Sequence, residues 1–478
     1  MHPPVGSAIP VRSVNECFYG ERWVPQDRIS VLEHAAEAGA NAYVYGPSAD
    51  RRTGGLWRDR YDGVEGEVLA DFATAARALG VEPIWRVSPS APLEPERGMR
   101  LTDPEDLAEL VGKIDSVFAL GFERVLIAFD DLTHGLDAQA AEVFADAAHP
   151  LAAAHAAVVR AVGEAVGHHR LIVCPLHYWG AEPSSYRRAF GAGFPAEVPV
   201  IWTGRAVISD EITAREAQGV ADELGHPLWL WDNYPVNDWD MDGIGADVLH
   251  VSAAGLDNLV TPRRLPLAPL RARDAALAGV LQGMGANLAL DPWTGIPAAS
   301  TLLAFAADPV SYDPDLAWRR AVERLDTAPD ALAVLADAAG PGSGAPIAAP
   351  SSLARACGRV LAEGPEPGVL HALEEAIASH VDALVTLRAR PSRLTWELRP
   401  WLVELGRQCH LVSLAVAALR SSGEERGDLV VALRGALLHA STVSVASGAG
   451  RALAEYARGM MAGGTPAIDV PPHDRGIR

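Results

Sequence analysis

The sequence predicts an α/β protein: a (β/α)8 barrel of the TIM type followed by a C-terminal α-helical bundle. Two observations carry this. Eight short apolar runs alternate with amphipathic helical stretches over the first two thirds of the chain. Beyond that, helical periodicity continues without strand-like runs. No G-x-G-x-x-G follows the first run, which favours a closed barrel over a doubly wound open sheet.

In order, a strand is expected over 13–19 and a helix over 28–38, then strand 40–46, helix 66–79, strand 81–88 and helix 104–120. The fourth strand, 124–131, leads into one long Ala-rich helix, 138–166. Strands at 170–178, 199–204 and 228–234 follow, with a helix over 212–224. A helix over 268–283 and an eighth strand over 286–292 complete the barrel. The barrel is assigned to 10–312, a helical connector with a Gly/Pro/Ala linker to 313–351, a helical domain to 352–464 and a disordered tail to 465–478.

The charge balance narrows the partners. Among 478 residues, 40 are basic and 61 acidic, a net of -21. Such a surface repels phosphate backbones and anionic lipid, so neither nucleic acid nor membrane is expected as a partner. No charged segment followed by an apolar one opens the chain, and no apolar run reaches membrane-spanning length. The four cysteines (Cys17, Cys174, Cys357 and Cys409) show no metal-ligand spacing. They fit a reducing compartment, and a cytoplasmic protein is expected. A homodimer is left open.

In a parallel barrel the chemistry sits where strands end. The fourth strand, in "RVLIAFDDLTHG" (124–135), runs into two adjacent carboxylates, Asp130 and Asp131. A helix cap or a loop salt bridge would account for such a pair. So would two catalytic carboxylates at a barrel mouth. The other strand ends supply Glu16, Tyr19, Tyr45, Asp50, Trp85, Arg86, His177, Tyr178, Trp202, Thr203, Trp231, Asp232, Asn233, Asp238, Asn287 and Asp291. Carboxylates, amides and aromatics without glycine-rich phosphate loops suit a sugar, whose ring stacks on aromatic faces while its hydroxyls take fixed polar partners. His134 and His177 lie near the pair, but their spacing matches no zinc pattern, and neither metal nor cofactor is expected. Trp179, Trp239 and Trp293 are either platforms for the leaving group or packing residues.

Seven segments in order, "ECFYGERW", "NAYVYGP", "LWRDRY", "FDD", "CPLHYWG", "IWTGRAVIS" and "LWDNYPVND", resemble glycoside hydrolase family 84, the β-N-acetylglucosaminidases that include O-GlcNAcases. The resemblance spans 13–320. It implies a retaining hydrolase of 2-acetamido-2-deoxy-β-glycosides without a protein nucleophile, in which the substrate's acetamido oxygen attacks the anomeric carbon and forms an oxazoline. On this match Asp130 orients the acetamide N–H and Asp131 is the general acid and base. Tyr178 helps hold the acetamido group, Trp231 walls the pocket, and Thr203 and Val207 lie beside the N-acetyl pocket. Asn233 hydrogen-bonds the acetamide, while Asp238 and Asn287 bind the distal hydroxyls. For Tyr178, a rim tyrosine packing on a loop is the alternative. Asp232 is read as supporting the site rather than touching substrate.

The chain also departs from the family. Ser48 stands where a sugar-binding lysine is usual, Ala49 replaces an aspartate, and Cys17 replaces a glycine whose carbonyl touches the sugar. "NLALDPW" replaces the family's "NPM" near the last strand. Losing a charged partner to a sugar hydroxyl costs on the order of 1.5–3 kcal/mol, unless Arg51, Arg52 or Arg58 compensates. The expected substrate is an intracellular glycoconjugate or a small glycosylated metabolite, and the serine favours the metabolite. The alternatives are a barrel diverted to another reaction on an N-acylated sugar-like substrate, or an inactive sugar-binding module.

Overall fold

The computed structural model describes residues 8–132, 135–238, 265–325, 327–339, 351–421, 425–439 and 447–461. The expected tail at 465–478, most of the expected linker, His134 and Trp239 lie outside these residues. Eight parallel strands close on themselves in sequence order: β1 (Val11–Glu16), β2 (Ala42–Tyr45), β3 (Glu82–Val87), β4 (Arg124–Ala128), β5 (Leu171–Cys174), β6 (Val200–Trp202), β7 (Leu228–Asp232) and β8 (Leu281–Asn287). Closure is made by β1 against β8, with Val11 opposite Gly283 and Asn15 opposite Asn287.

Side chains alternate along each strand, so one set fills the barrel and the other meets the helices. The inner set includes Ala42 and Val44, Ile84, Leu126 and Ala128, Ile172 and Cys174, Ile201, and Trp229 and Trp231. The outer set includes Tyr43 and Tyr45, which meet Phe72 at ring distances of 4.9 and 6.3 Å. Continuing the inner rows of β2, β3, β4, β6 and β7 by two residues reaches Gly46, Arg86, Asp130, Thr203 and Asn233, so the alternation that fills the barrel also furnishes its mouth.

The surrounding helices are α1 (Pro25–Glu37), α2 (Gly63–Ala78), α3 (Pro104–Ala119), α4 (Ala138–Val143), α5 (Pro150–Val166), α6 (Ser185–Gly191), α7 (Ala214–Leu224) and α8 (Pro292–Ala307). Two expectations are corrected. The single helix over 138–166 is two, α4 and α5, because Pro150 cannot continue a helix and instead starts the next one at its first position. The helix expected over 268–283 is only a 3-10 turn, Ala275–Gly279, and β8 begins at Leu281, before the strand predicted over 286–292. The strand carries Gly283, Gly285, Met284 and Gln282 rather than β-branched residues, which hides it from a propensity reading. Gly285 is required by packing: a Cβ there would lie 2.1 Å from Ser13 Oγ across the closure.

α3 buries Lys113. Its ammonium donates to the Asp59 carbonyl and lies 3.9 Å from the Tyr61 ring centroid and 5.3 Å from that of Trp85. Burial lowers its pKa to about 7. Between pH 7 and the ordinary lysine range the unfolded chain binds the extra proton, so stability rises with pH there. Wild type is expected to gain about 2 kcal/mol relative to Lys113→Met between pH 7 and 9 in urea titrations. Parallel pH profiles for the two proteins would disprove this.

Contacts divide the chain into two compact units, with the second taking up its main stretch at Val322. That unit is helical: after α9 (Pro314–Glu323), which crosses the division, come α10 (Pro329–Ala339), α11 (Ser352–Glu363), α12 (Pro367–Arg388), α13 (Arg393–Glu397), α14 (Arg399–Arg420), α15 (Glu425–His439) and α16 (Ser447–Met461). α10 packs on α12, and α14 on α12, α15 and α16. Among the described residues α14 alone is long and apolar enough to cross a membrane by composition. It buries Leu402, Leu405, Leu411, Val412 and Ala415, and includes the buried pair Glu404 and Gln408, as a core helix does.

Candidate active site

β4 ends at Ala128, and the two carboxylates follow on a turn. Adjacent strand residues point to opposite faces, so the backbone must bend for both to serve one mouth. It does so at Asp131, whose φ is 55°. This left-handed conformation costs an L-residue roughly 1–2 kcal/mol, and aspartate is among the few types that tolerate it.

Asp131 is held from two sides. Tyr19 Oη donates to Oδ2 at 2.9 Å and Tyr178 Oη to Oδ1 at 2.9 Å. Burial, and then the negative charge of Asp131, raise both phenols well above their usual range, so they remain donors. Tyr178 is fixed by its backbone: Thr203 N donates to Tyr178 O at 2.9 Å, Gly180 N to Gly204 O at 2.9 Å and Trp202 Nε1 to Gly180 O at 3.1 Å. These bonds join the loops after β5 and β6. Thr203 Oγ1 is turned to the Ala206 carbonyl, 3.0 Å away.

Asp130 faces a different partner. Arg86 Nη2 reaches its two oxygens at 3.2 and 3.1 Å. Burial raises the pKa of Asp130, Arg86 opposes the rise and Asp131 adds to it. Cys17 lies at the end of β1 against the barrel interior, and burial holds its thiol neutral.

Across the mouth, Asn233 organises an amide cluster. Its Oδ1 accepts from Trp231 Nε1 at 3.1 Å and from Asn287 Nδ2 at 2.8 Å, and its Nδ2 donates to Val207 O at 2.7 Å. These bonds fix the amide's orientation and leave one of its hydrogens for a ligand. Asn287 Oδ1 is buried with no hydrogen-bond partner among the described residues, which suits an acceptor for a substrate hydroxyl. Asp238 Oδ2 accepts from Tyr19 N at 2.7 Å, tying the loop after β7 to that after β1. Ser48 donates its backbone N–H to Phe18 O at 3.2 Å, placing it on the same rim.

The arginines considered as substitutes for the missing lysine are engaged elsewhere. Arg51 pairs with Glu94, Arg52 with Glu65 and Arg58 with Asp106. Asp50 is buried, receives the hydroxyls of Tyr45 and Tyr61 at 2.7 and 2.9 Å, and braces the loop after β2. Asp232 forms a buried pair with Arg273 at 2.7 and 2.9 Å. His177 bonds Ser184 at 2.8 Å. Trp179 is exposed on the rim beside Tyr178, whereas Trp293 donates to Asp27 at 3.1 Å and meets His34 edge-on.

The sequence reading gives no role to two residues of this site, Arg86 and Tyr19. Both stood among the strand ends. Arg86 carried a signal of its own, as the arginine in the otherwise apolar core of "EPIWRV".

A pair of carboxyl groups facing fixed amides and an indole, at the C-terminal mouth of a parallel barrel, is the equipment of a glycoside hydrolase. Comparison with known proteins gives the family. Residues 12–337 match the family model described as NAGidase, beta-N-acetylglucosaminidase, and the chain belongs to that family, glycoside hydrolase family 84. The Protein O-GlcNAcases of Rattus norvegicus and Mus musculus are each 27% identical over 280 residues, which is 57% of this chain and 27% of theirs. The chain thus spans about a quarter of the length of these curated relatives. A mutant of Thermobaculum terrenum O-GlcNAc hydrolase superposes with a TM-score of 0.80 at 24% identity, covering 94% of both chains, and supports the fold.

Proposed function

We propose that the chain is a retaining β-N-acetylhexosaminidase that cleaves 2-acetamido-2-deoxy-β-glycosides with the substrate's own acetamide as nucleophile. The observation that carries this is the bent pair after β4, with Asp131 gripped by two phenols and Asp130 set apart beside a cation. In the first step the acetamido oxygen bonds to C1, the glycosidic C–O bond breaks, and Asp131 gives its proton to the departing oxygen. Asp130 accepts the amide hydrogen as positive charge grows on that nitrogen, leaving an oxazoline. In the second step Asp131 takes a proton from water, whose oxygen bonds to C1 while the ring opens and the amide regains its hydrogen. Two inversions give net retention.

Each oxygen of Asp131 accepts from one tyrosine and keeps a second lone-pair site, so the phenols can align the carboxyl while it serves the leaving oxygen. Asn233, Trp231 and Val207 surround the acetamide in this reading, and Asp238 and Asn287 read the distal hydroxyls. O-GlcNAc on protein is the natural candidate from the relatives. Ser48 and the engaged arginines beyond it favour a smaller N-acylated glycoside, such as a glycosylated metabolite in the cytoplasm.

The test is hydrolysis of 4-nitrophenyl β-N-acetylglucosaminide, with the configuration of the first-formed sugar followed by NMR. A β-product is expected. Replacing the acetyl by trifluoroacetyl weakens the acyl oxygen as nucleophile, and kcat/KM is expected to fall at least tenfold. An α-product, or indifference to fluorination, would rule out the acetamide as nucleophile.

A further inference from the structure

Arg86 has no part in the steps above, yet the fold makes room for it. It follows Ile84 by two on β3 and points into the barrel mouth, its side chain 12% exposed. Its stem crosses Gly46 at the end of β2, where a Cβ would lie 2.6 Å from Arg86 Cβ and 3.1 Å from its Cδ. Its head reaches both oxygens of Asp130. We propose that Arg86 is a positioning residue: it keeps Asp130 ionised and aimed into the mouth, ready to accept the substrate's amide hydrogen. The proposal rests on the role assigned to Asp130 above.

The physical need is specific. A carboxylate removed from water tends to keep its proton, and the neighbouring Asp131 strengthens that tendency. A protonated Asp130 would turn a donor toward the donor N–H of the acetamide. The groups facing Asp130 are Asp131 on its own turn, Arg86 from β3, Cys17 and Tyr19 from the end of β1 and the segment beyond, Cys174 from β5, and Tyr178 beyond β5. Burial keeps both thiols and both phenols neutral. Among the described residues, Arg86 is the cation that opposes the effects of burial and of Asp131.

The experiment measures kcat/KM against pH for wild type, Arg86→Met, Arg86→Lys and Gly46→Ala. In Arg86→Met the acidic limb is expected to move up by about one pH unit or more, which is about tenfold in rate on that limb. Arg86→Lys should recover at least half of the shift. Gly46→Ala keeps the charge but crowds the stem, so it should shift the limb in the same direction by less, and it serves if Arg86→Met does not fold. A second readout needs no turnover: the 13C titration of the Asp130 carboxyl, assigned by its loss in Asp130→Asn. If Asp130 titrates at the same pH with and without Arg86, the proposal is overturned. If the titration shifts while wild type fails to cleave the aryl glycoside, Arg86 still governs Asp130 and only the substrate reading falls.

Discussion

Asp131→Ala is expected to lower kcat on 4-nitrophenyl β-N-acetylglucosaminide by roughly 10²- to 10⁴-fold, the usual worth of a placed general acid and base. The two steps should suffer unequally. 4-Nitrophenolate is a good leaving group and departs with little help, so oxazoline formation survives better than its hydrolysis. Hydrolysis still needs a base for water. The intermediate should then accumulate, and KM should fall along with kcat. Azide needs no base, so it should restore turnover and yield the β-glycosyl azide. A kcat within threefold of wild type, or an α-azide, would remove Asp131 from the role. Tyr178→Phe should cost far less, because Tyr19 still orients the carboxyl.

Period-two alternation made much of this site legible. Leu126 and Ala128 lead to Asp130, and Trp229 and Trp231 lead to Asn233, by the same step of two that packs the barrel. The rule applies equally to Ile84 and Arg86 and puts the arginine at the mouth, but it does not name the arginine's partner. Its target lies 44 residues on, and Tyr19 meets Asp131 across 112 residues. Such pairings are set by strand order and tilt, and no local pattern encodes them. β8 was misplaced for another reason. Gly285 makes room for the close approach of β1 and Gly283 for the Trp229 ring, and together they leave no hydrophobic period to read. The loop arginines 51, 52 and 58 looked available in sequence because their acidic partners sit on other loops and helices.

Glu16 shows how a strand-end carboxylate can serve the scaffold instead of the chemistry. It lies beside Cys17 in "ECFYG", yet its side chain points outward, under α1. Arg28 of α1 binds it through Nε at 2.6 Å and Nη2 at 2.8 Å, and Tyr43 Oη donates at 2.8 Å. Both members of the pair are almost wholly buried. Glu16→Gln leaves the Arg28 cation buried with no counter-charge. The expected loss is about 3–5 kcal/mol in the barrel's urea transition, because an unpaired buried charge costs more than the intact pair contributes. Adding Arg28→Met to that variant should recover most of the loss, since it removes the stranded charge. Below the transition, kcat for Glu16→Gln should stay within threefold of wild type, as its carboxyl does not face the mouth. A large kcat effect in a fully folded protein would move Glu16 into the catalytic machinery. A double variant no more stable than Glu16→Gln would mean that the stranded arginine is not the source of the loss.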